Sequence, residues 1–176
     1  MSTPVAAIDW PADIHAALSA AEVRQVAYVP DAGHSRLIAL CGADPRMRMV
    51  PLTSEEEGVG LAAGAWLGGE RSVLLMQSSG VGNCINALAL IESCRFPFLT
   101  LVTMRGEFGE FNPWQVPMGR AAAPSLELAN VIVHRVSAAS EAGATVAGAA
   151  RLAFASYRGV AVLLSQRLIG AKSFRQ

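Results

Sequence analysis

The stretch Ser72-Val-Leu-Leu-Met-Gln77-Ser-Ser-Gly-Val-Gly82-Asn-Cys-Ile-Asn86-Ala-Leu-Ala-Leu-Ile91 carries no charged residue. It is long enough for a membrane span, yet Gln77, Ser78, Ser79, Gly80, Gly82, Asn83 and Asn86 fill its middle, and unsatisfied polar groups are costly in lipid. It therefore reads as a buried strand, a polar turn and a buried helix. An apolar strand that does not alternate with polar residues is one covered on both faces. The same rhythm recurs to either side. Strands are expected over residues 26–30, 47–52, 72–77, 98–104, 131–136 and 160–165, and helices over 9–22, 34–41, 55–67, 81–94, 125–128 and 140–156. This alternation predicts an α/β fold of three layers (α/β/α) around a six-stranded parallel sheet. No Pro/Ser linker, repeat or low-complexity run divides the chain, so residues 1–176 are expected to form one domain.

Composition narrows the function. Lys plus Arg and Asp plus Glu both number 14, only 16% of residues are charged, and 52% are hydrophobic. A disordered chain needs the opposite balance, and no bulk charge favours nucleic acid or a membrane surface. So few charges on a small domain suggest that other subunits cover part of the surface. Cys41, Cys84 and Cys94 have neither CxxC nor CxxH spacing and read as reduced thiols. The start Met-Ser-Thr-Pro-Val lacks a basic region followed by a long apolar one, so a soluble, cytoplasmic protein without a signal peptide is expected.

Ligands of such sheets approach the carboxyl ends of the strands, which singles out four segments. In Thr53-Ser-Glu55-Glu56-Glu57-Gly58, Ser54 and Glu57 fit a capping box, and acidic first-turn residues suit the helix dipole. However, the helix that follows contains Gly58, Gly60 and Gly64, and each glycine costs about 1 kcal/mol relative to Ala. That composition makes sense where a ligand or another backbone approaches closely, leaving a carboxylate available as a site group. Gln77-Ser-Ser-Gly80-Val-Gly82-Asn83 is either a turn capped by Ser79 or Asn83 or a phosphate cradle, although it matches no dinucleotide or P-loop fingerprint. The segment from Arg105 to Arg120, with two Arg, two Glu and three aromatics, is long for a connection. It is a functional lid, a contact surface or a mobile segment, and its arginines are anion ligands or ion-pair partners. His34, after Pro30-Asp31-Ala-Gly33, is either an acid/base residue or a surface histidine at a helix start. The chain's four aspartates, Asp9, Asp13, Asp31 and Asp44, form no paired cluster, so a self-contained metal–phosphate site is not expected.

Three runs together resemble a known family. They are Leu52-Thr-Ser-Glu55-Glu-Glu-Gly-Val-Gly-Leu-Ala-Ala-Gly64, Leu75-Met-Gln-Ser-Ser-Gly-Val-Gly-Asn-Cys-Ile-Asn-Ala-Leu88, and Arg105-Gly-Glu-Phe-Gly-Glu with Pro117-Met-Gly-Arg120. They resemble the pyrimidine-binding domain of thiamine-diphosphate enzymes, most closely that of the sulfopyruvate and phosphonopyruvate decarboxylases. The resemblance covers nearly the whole chain. It implies a strand order 2-1-3-4-6-5 and a cofactor bound between two chains. It also implies that the glutamate nine residues before the Gly of Ala62-Ala63-Gly64, which is Glu55, hydrogen-bonds N1′ of the aminopyrimidine. There it favours the imino tautomer that activates the thiazolium carbon for attack on a 2-oxo acid.

The implied function is an α subunit of a two-chain decarboxylase acting on a small anionic 2-oxo acid. 3-Sulfopyruvate, giving sulfoacetaldehyde and CO₂, is the first expectation. The alternatives are phosphonopyruvate or another 2-oxo acid, carboligation, or a non-catalytic pyrimidine-domain partner protein. Cofactor contacts are expected from Glu55, Pro30, Gln77, Ser79, Gly80 and Asn83, and substrate contacts from Ser78, Arg105, Arg120 and His34. The family's Gly-Asp-Gly signature is missing, since no Asp here lies between two glycines. Mg²⁺ and the diphosphate are thus expected on a β subunit, in an assembly that also self-associates. Relatives often carry Asn at the position of Ser78 and Ser at that of Cys84, so the substrate is the least determined element.

Overall fold

The six expected strands form and pair in parallel in one sheet. The computed structural model describes residues 8–171; the run 1–5 read above for a signal peptide lies outside the described residues. The strands are β1 (Val23–Tyr28), β2 (Arg48–Pro51), β3 (Arg71–Gln77), β4 (Phe98–Thr103), β5 (Ile132–Val136) and β6 (Gly159–Leu164). Their order, β2-β1-β3-β4-β6-β5, is the one the resemblance implies. Every residue of β4 and β6 is buried, as are Ser72 to Met76 of β3. This two-sided burial is the physical reason these segments do not alternate in polarity. The edge strands β2 and β5 are mostly half-buried or exposed.

The helices among the described residues are α1 (Trp10–Ala20), α2 (Ser35–Ala43), α3 (Glu55–Leu67), α4 (Ser78–Cys84), α5 (Ala89–Cys94), α6 (Gln115–Leu128), α7 (Ala142–Ser156) and the short α8 (Gln166–Ile169). Ile14 and Leu18 of α1, Leu37 of α2 and Val146 and Phe154 of α7 pack with Val73, Leu75 and Val162 on one face of the sheet. Val59 of α3, Val81 of α4, Ile91 of α5 and Leu126 of α6 pack with Leu74, Met76 and Leu163 on the other. Truncating such a buried Leu to Ala costs about 2–5 kcal/mol.

Besides β1, which forms over 23–28 rather than 26–30, two elements differ from the sequence reading. The helix expected over 81–94 is two helices, and α4 starts at Ser78 directly from β3, so the polar turn is its first turn. Before α5 and at its start the N–H groups of Ala89, Leu90 and Ile91 bond three residues back, a tighter 3₁₀ winding. Helix α6 begins at Gln115 rather than at residue 125. Pro117 sits in its first turn, where the missing N–H has no intrahelical acceptor. The interior Pro124 is tolerated because Gly119, Ala122 and Leu126 are buried, and packing rather than propensity stabilises most helices. The connection expected to reach Arg120 therefore spans only 104–114.

Because the strands are parallel, their carboxyl ends share one edge. The chain passes from β1 to β2 by way of α2 on one face and returns to β3 by way of α3 on the other. The order thus reverses between β1 and β3, the place where open sheets form a ligand crevice.

Candidate functional site

The three glutamates that open α3 have different surroundings. Glu56 and Glu57 are exposed, whereas Glu55 is only 7% exposed. The expected capping box does not form: the Glu57 carboxylate accepts the backbone N–H of Thr53, one residue before the N-cap, at 2.9 Å, and Ser54, the N-cap residue, makes no side-chain capping bond. Glu55 turns inward toward α4, and its Oε2 accepts a hydrogen bond from Asn83 Nδ2 at 2.7 Å. The same side chain rests on Gly80, where an added Cβ would lie 2.5 Å from Oε1. The close approach expected of the glycine-rich helix occurs at Gly58, where a Cβ would lie 2.5 Å from Leu74 Cδ1, whereas Gly60 and Gly64 face open space. Nearby Cys84 is buried, and burial, with a smaller contribution from the charges of Glu55 and Glu56, pushes its thiol up to about 12. A carboxylate removed from water is unfavourable unless paired. Here one amide and the N-terminal end of the helix dipole offset that cost.

A second cluster lies at the β1/β3 reversal and centres on Asp31, which the sequence reading did not single out. Its Oδ1 accepts from Gln77 Nε2 at 2.9 Å, and its Oδ2 accepts from the Thr103 hydroxyl at 2.6 Å and the Gly33 N–H at 3.1 Å. The last of these is an Asx turn. A Cβ on Gly33 would meet Thr103 Cγ2 at 2.8 Å, so the turn closes only with glycine there. Gln77 in turn accepts the Ser79 hydroxyl proton at 3.0 Å. The signal was present in the sequence: Asp31 directly follows Val29-Pro30 at a strand end.

The 104–114 loop is tied down at both ends. Glu110 accepts from Arg105 Nε at 2.6 Å and from Arg105 Nη2, and also from Gly106 N, Asn112 N and Gln166 Nε2. These donors, the Arg105 guanidinium foremost, hold its carboxyl down at about 2. Gln166, 1% exposed, accepts the N–H groups of Glu107 and Phe108 at 2.9 Å each. Of the alternatives left open for this segment, a mobile one does not fit these contacts. Arg105 is only 6% exposed and stacks at 5.5 Å over Phe111, so it is an ion-pair partner of Glu110. It also lines a recess of about 190 Å³ with Asp31 and Gly33.

Glu55, Gly80 and Asn83 are thus brought together, and Gln77 links Ser79 to Asp31. Pro30 is exposed in a shallow groove with Tyr28 and Ile38. Ser78 is fully buried and its hydroxyl accepts the backbone N–H of Arg105 at 3.1 Å, which anchors the root of the loop. Arg120 is exposed on α6. His34 requires a correction, because it is neither on the surface nor open to a substrate but fully buried. The 3₁₀ turn Ala32–His34 carries it inward, and Nε2 donates to the Leu101 carbonyl at 3.1 Å. Nδ1 is buried and makes no well-formed hydrogen bond among the described residues, and burial lowers the imidazole pKa.

Known proteins resemble the chain over most of its length. The chain is 34% identical over 158 residues, 89% of its length and 96% of the relative's, to the sulfopyruvate decarboxylase subunit alpha of Methanothermobacter thermautotrophicus. It is 38% identical over 122 residues, 68% of its length and 31% of the relative's, to the phosphonopyruvate decarboxylase of Streptomyces viridochromogenes. Among solved structures, the 2-oxoglutarate:ferredoxin oxidoreductase of Magnetococcus marinus superposes with a TM-score of 0.71 over 91% of this chain and 29% of that one. At 13% identity that likeness concerns the fold. Residues 11–108 match the thiamine pyrophosphate enzyme, N-terminal TPP binding domain family, and the chain belongs to that family.

Proposed function

We propose that this chain is the α subunit of a thiamine-diphosphate-dependent decarboxylase and that Glu55 is its catalytic carboxylate. The observation that carries the reading is Glu55 itself. It is a buried glutamate at the carboxyl edge of a parallel sheet, steadied through one oxygen by Asn83 and set against Gly80, where a Cβ would displace it. Among the described residues, nothing donates a hydrogen bond to its Oε1. That donor set fits a planar nitrogen heterocycle that can share a proton with a carboxyl group.

When bound, thiamine diphosphate supplies the acidic thiazolium carbon and the electron sink that loss of CO₂ requires. Glu55 holds the proton at the ring nitrogen, Asn83 fixes the carboxyl plane, and Gly80 leaves room for it. The net reaction breaks the C1–C2 bond of a 2-oxo acid, releases CO₂ and places a proton on the former carbonyl carbon to give an aldehyde. 3-Sulfopyruvate is the substrate we favour, because the relative bearing that name is matched over nearly its full length. Phosphonopyruvate is the second reading, supported by the Streptomyces relative.

A partner chain holds Mg²⁺ and the diphosphate in this proposal. The name "subunit alpha" of the archaeal relative supports it, as does the lack of an Asp between two glycines in this sequence. The surface adds support. Leu67, Ile85, Leu90, Trp114 and Leu128 are exposed on or beside α3 to α6, against Ile8 and Tyr157 beside α1 and α7. Exposed apolar side chains in excess on one side of the sheet suit a contact surface. Among the described residues no helix is long and apolar enough to cross a membrane.

The test is purification of the tagged chain under native conditions, mass spectrometry of what accompanies it, and assay of the complex for CO₂ release. The expected outcome is a stoichiometric partner carrying Gly-Asp-Gly and a complex that decarboxylates 3-sulfopyruvate faster than phosphonopyruvate or pyruvate. A homo-oligomer that binds no thiamine diphosphate in the presence of Mg²⁺ would overturn the reading.

A further inference from the structure

We infer that Asp31 is a positioning residue that sets the direction of hydrogen bonding through Gln77 to Ser79, so that Ser79 offers lone pairs rather than its proton to the ligand beside Glu55. The inference rests on the decarboxylase reading only for where that ligand binds; the direction itself follows from the donors and acceptors. A carboxylate can only accept. Asp31 Oδ1 therefore fixes which end of the Gln77 carboxamide faces it, and Nε2 lies there at 2.9 Å. The orientation of a glutamine amide is ordinarily inferred from its hydrogen-bond network, and here the carboxylate leaves one choice. Gln77 Oε1 must point away from Asp31, toward Ser79, whose hydroxyl has one proton and donates it to that oxygen at 3.0 Å.

Asp31 is itself held in place. The Thr103 hydroxyl and Gly33 N–H both donate to Oδ2, on the opposite side from Gln77. The relay thus begins at a fixed acceptor on the β1 exit, crosses the end of β3 and finishes on the first turn of α4. The next residue along that turn, Gly80, touches Glu55. The chemical consequence is selective: the ligand group that meets Ser79 is a hydrogen-bond donor, an amine or a hydroxyl. An anionic sulfonate or phosphonate oxygen finds no proton there. Nor does it find a free cation in Arg105, which is paired with Glu110.

Isosteric exchange separates this role from a merely structural one. In Asp31→Asn the side-chain oxygen can still accept from Thr103 and Gly33, but the new amide group faces Gln77. Gln77 must then turn over, its NH₂ points at Ser79, and the Ser79 proton turns toward the ligand. In the double variant Asp31→Asn with Gln77→Glu, the introduced asparagine amide donates to the introduced carboxylate, whose other oxygen accepts from Ser79. The original direction returns with the charge of the pair conserved.

The experiment uses the full chain in complex with its partner subunit, with kcat and KM for 3-sulfopyruvate measured for wild type, both single variants and the double variant. A second readout, the side-chain amide of Gln77 in ¹H–¹⁵N NMR spectra of the full-length chain, does not depend on activity. We expect Asp31→Asn to melt close to wild type and to lose about tenfold or more in kcat/KM, the effect of one misdirected, partly buried hydrogen bond. The double variant should recover to within about threefold of wild type. In the spectra the Gln77 amide protons should lie downfield in wild type, as expected next to a carboxylate, and shift in Asp31→Asn. An unshifted Gln77 amide, an Asp31→Asn enzyme as active as wild type, or a double variant no better than Asp31→Asn would overturn the inference. If the amide shifts as expected but wild type releases no CO₂ from any 2-oxo acid, the relay stands and the decarboxylase reading fails.

Discussion

The Glu55 carboxylate lies on Gly80 so closely that a Cβ built there would sit 2.5 Å from Oε1 and 2.6 Å from Cδ. A glutamate at one strand end and a glycine 25 positions later in the chain thus form one surface. The glycine is required by this contact, since any larger residue would push the carboxylate aside.

Gly80→Ala is accordingly expected to lower turnover by about 10- to 100-fold, the penalty for misplacing a catalytic group by about an ångström. The melting temperature should change little, because the atoms in the way belong to a flexible side chain. Steady-state kinetics alongside a thermal melt check both halves. Full activity would mean that Glu55 need not occupy this position.

Among the three adjacent glutamates, Glu55→Gln should lose about 100-fold or more in kcat, the usual range for removing a positioned acid or base. Glu56→Gln and Glu57→Gln should stay within about threefold, as exposed substitutions generally do. Equal losses for all three would remove the special role of Glu55.

Gly119→Ala tests the seat of the loop. A Cβ there would lie 2.3 Å from the Arg105 carbonyl oxygen, and backbone cannot yield as a side chain can. Overpacking of this kind costs about 1–3 kcal/mol or more, so the melting temperature should fall by several degrees. Calorimetry of the purified variant measures it, and an unchanged melt would show that α6 and the loop root move apart freely.

The Glu110–Arg105 pair gives the loop a pH dependence of definite sign. The Glu110 carboxyl is held at about 2 in the folded chain, against an ordinary 4.5. A lowered carboxyl pKa stabilises the fold fully above the unfolded value, and the contribution is lost as pH falls through the folded one. Stability should therefore decline between about 4.5 and about 2, and Glu110→Gln should show a shallower decline over that window. Melting curves of both proteins across that range decide it; parallel curves would mean that the pair adds nothing.

By itself, the sequence determined the class of this fold, while the strand order came only through resemblance. Uncharged runs such as 72–77 and 160–165 are legible as strands buried on both faces, because removing polar groups from water is costly wherever it happens along the chain. Helix α3 was readable to the residue, since a strand end, acidic residues and small residues are all local signals. Glu55 could be picked out from its neighbours by counting to Gly64, although only through resemblance. Tertiary structure decided the rest. It turned Glu55 inward onto Gly80 and left Glu56 and Glu57 in water, because the facing helix offers a glycine and an amide at one position only. It drew Asp31, Gln77 and Thr103 together from the ends of three strands that are distant in sequence. It buried His34 against the Leu101 carbonyl and kept α6 helical through two prolines. Hydrogen-bond partners across a parallel sheet are separated by whole crossover helices, so no local pattern announces them.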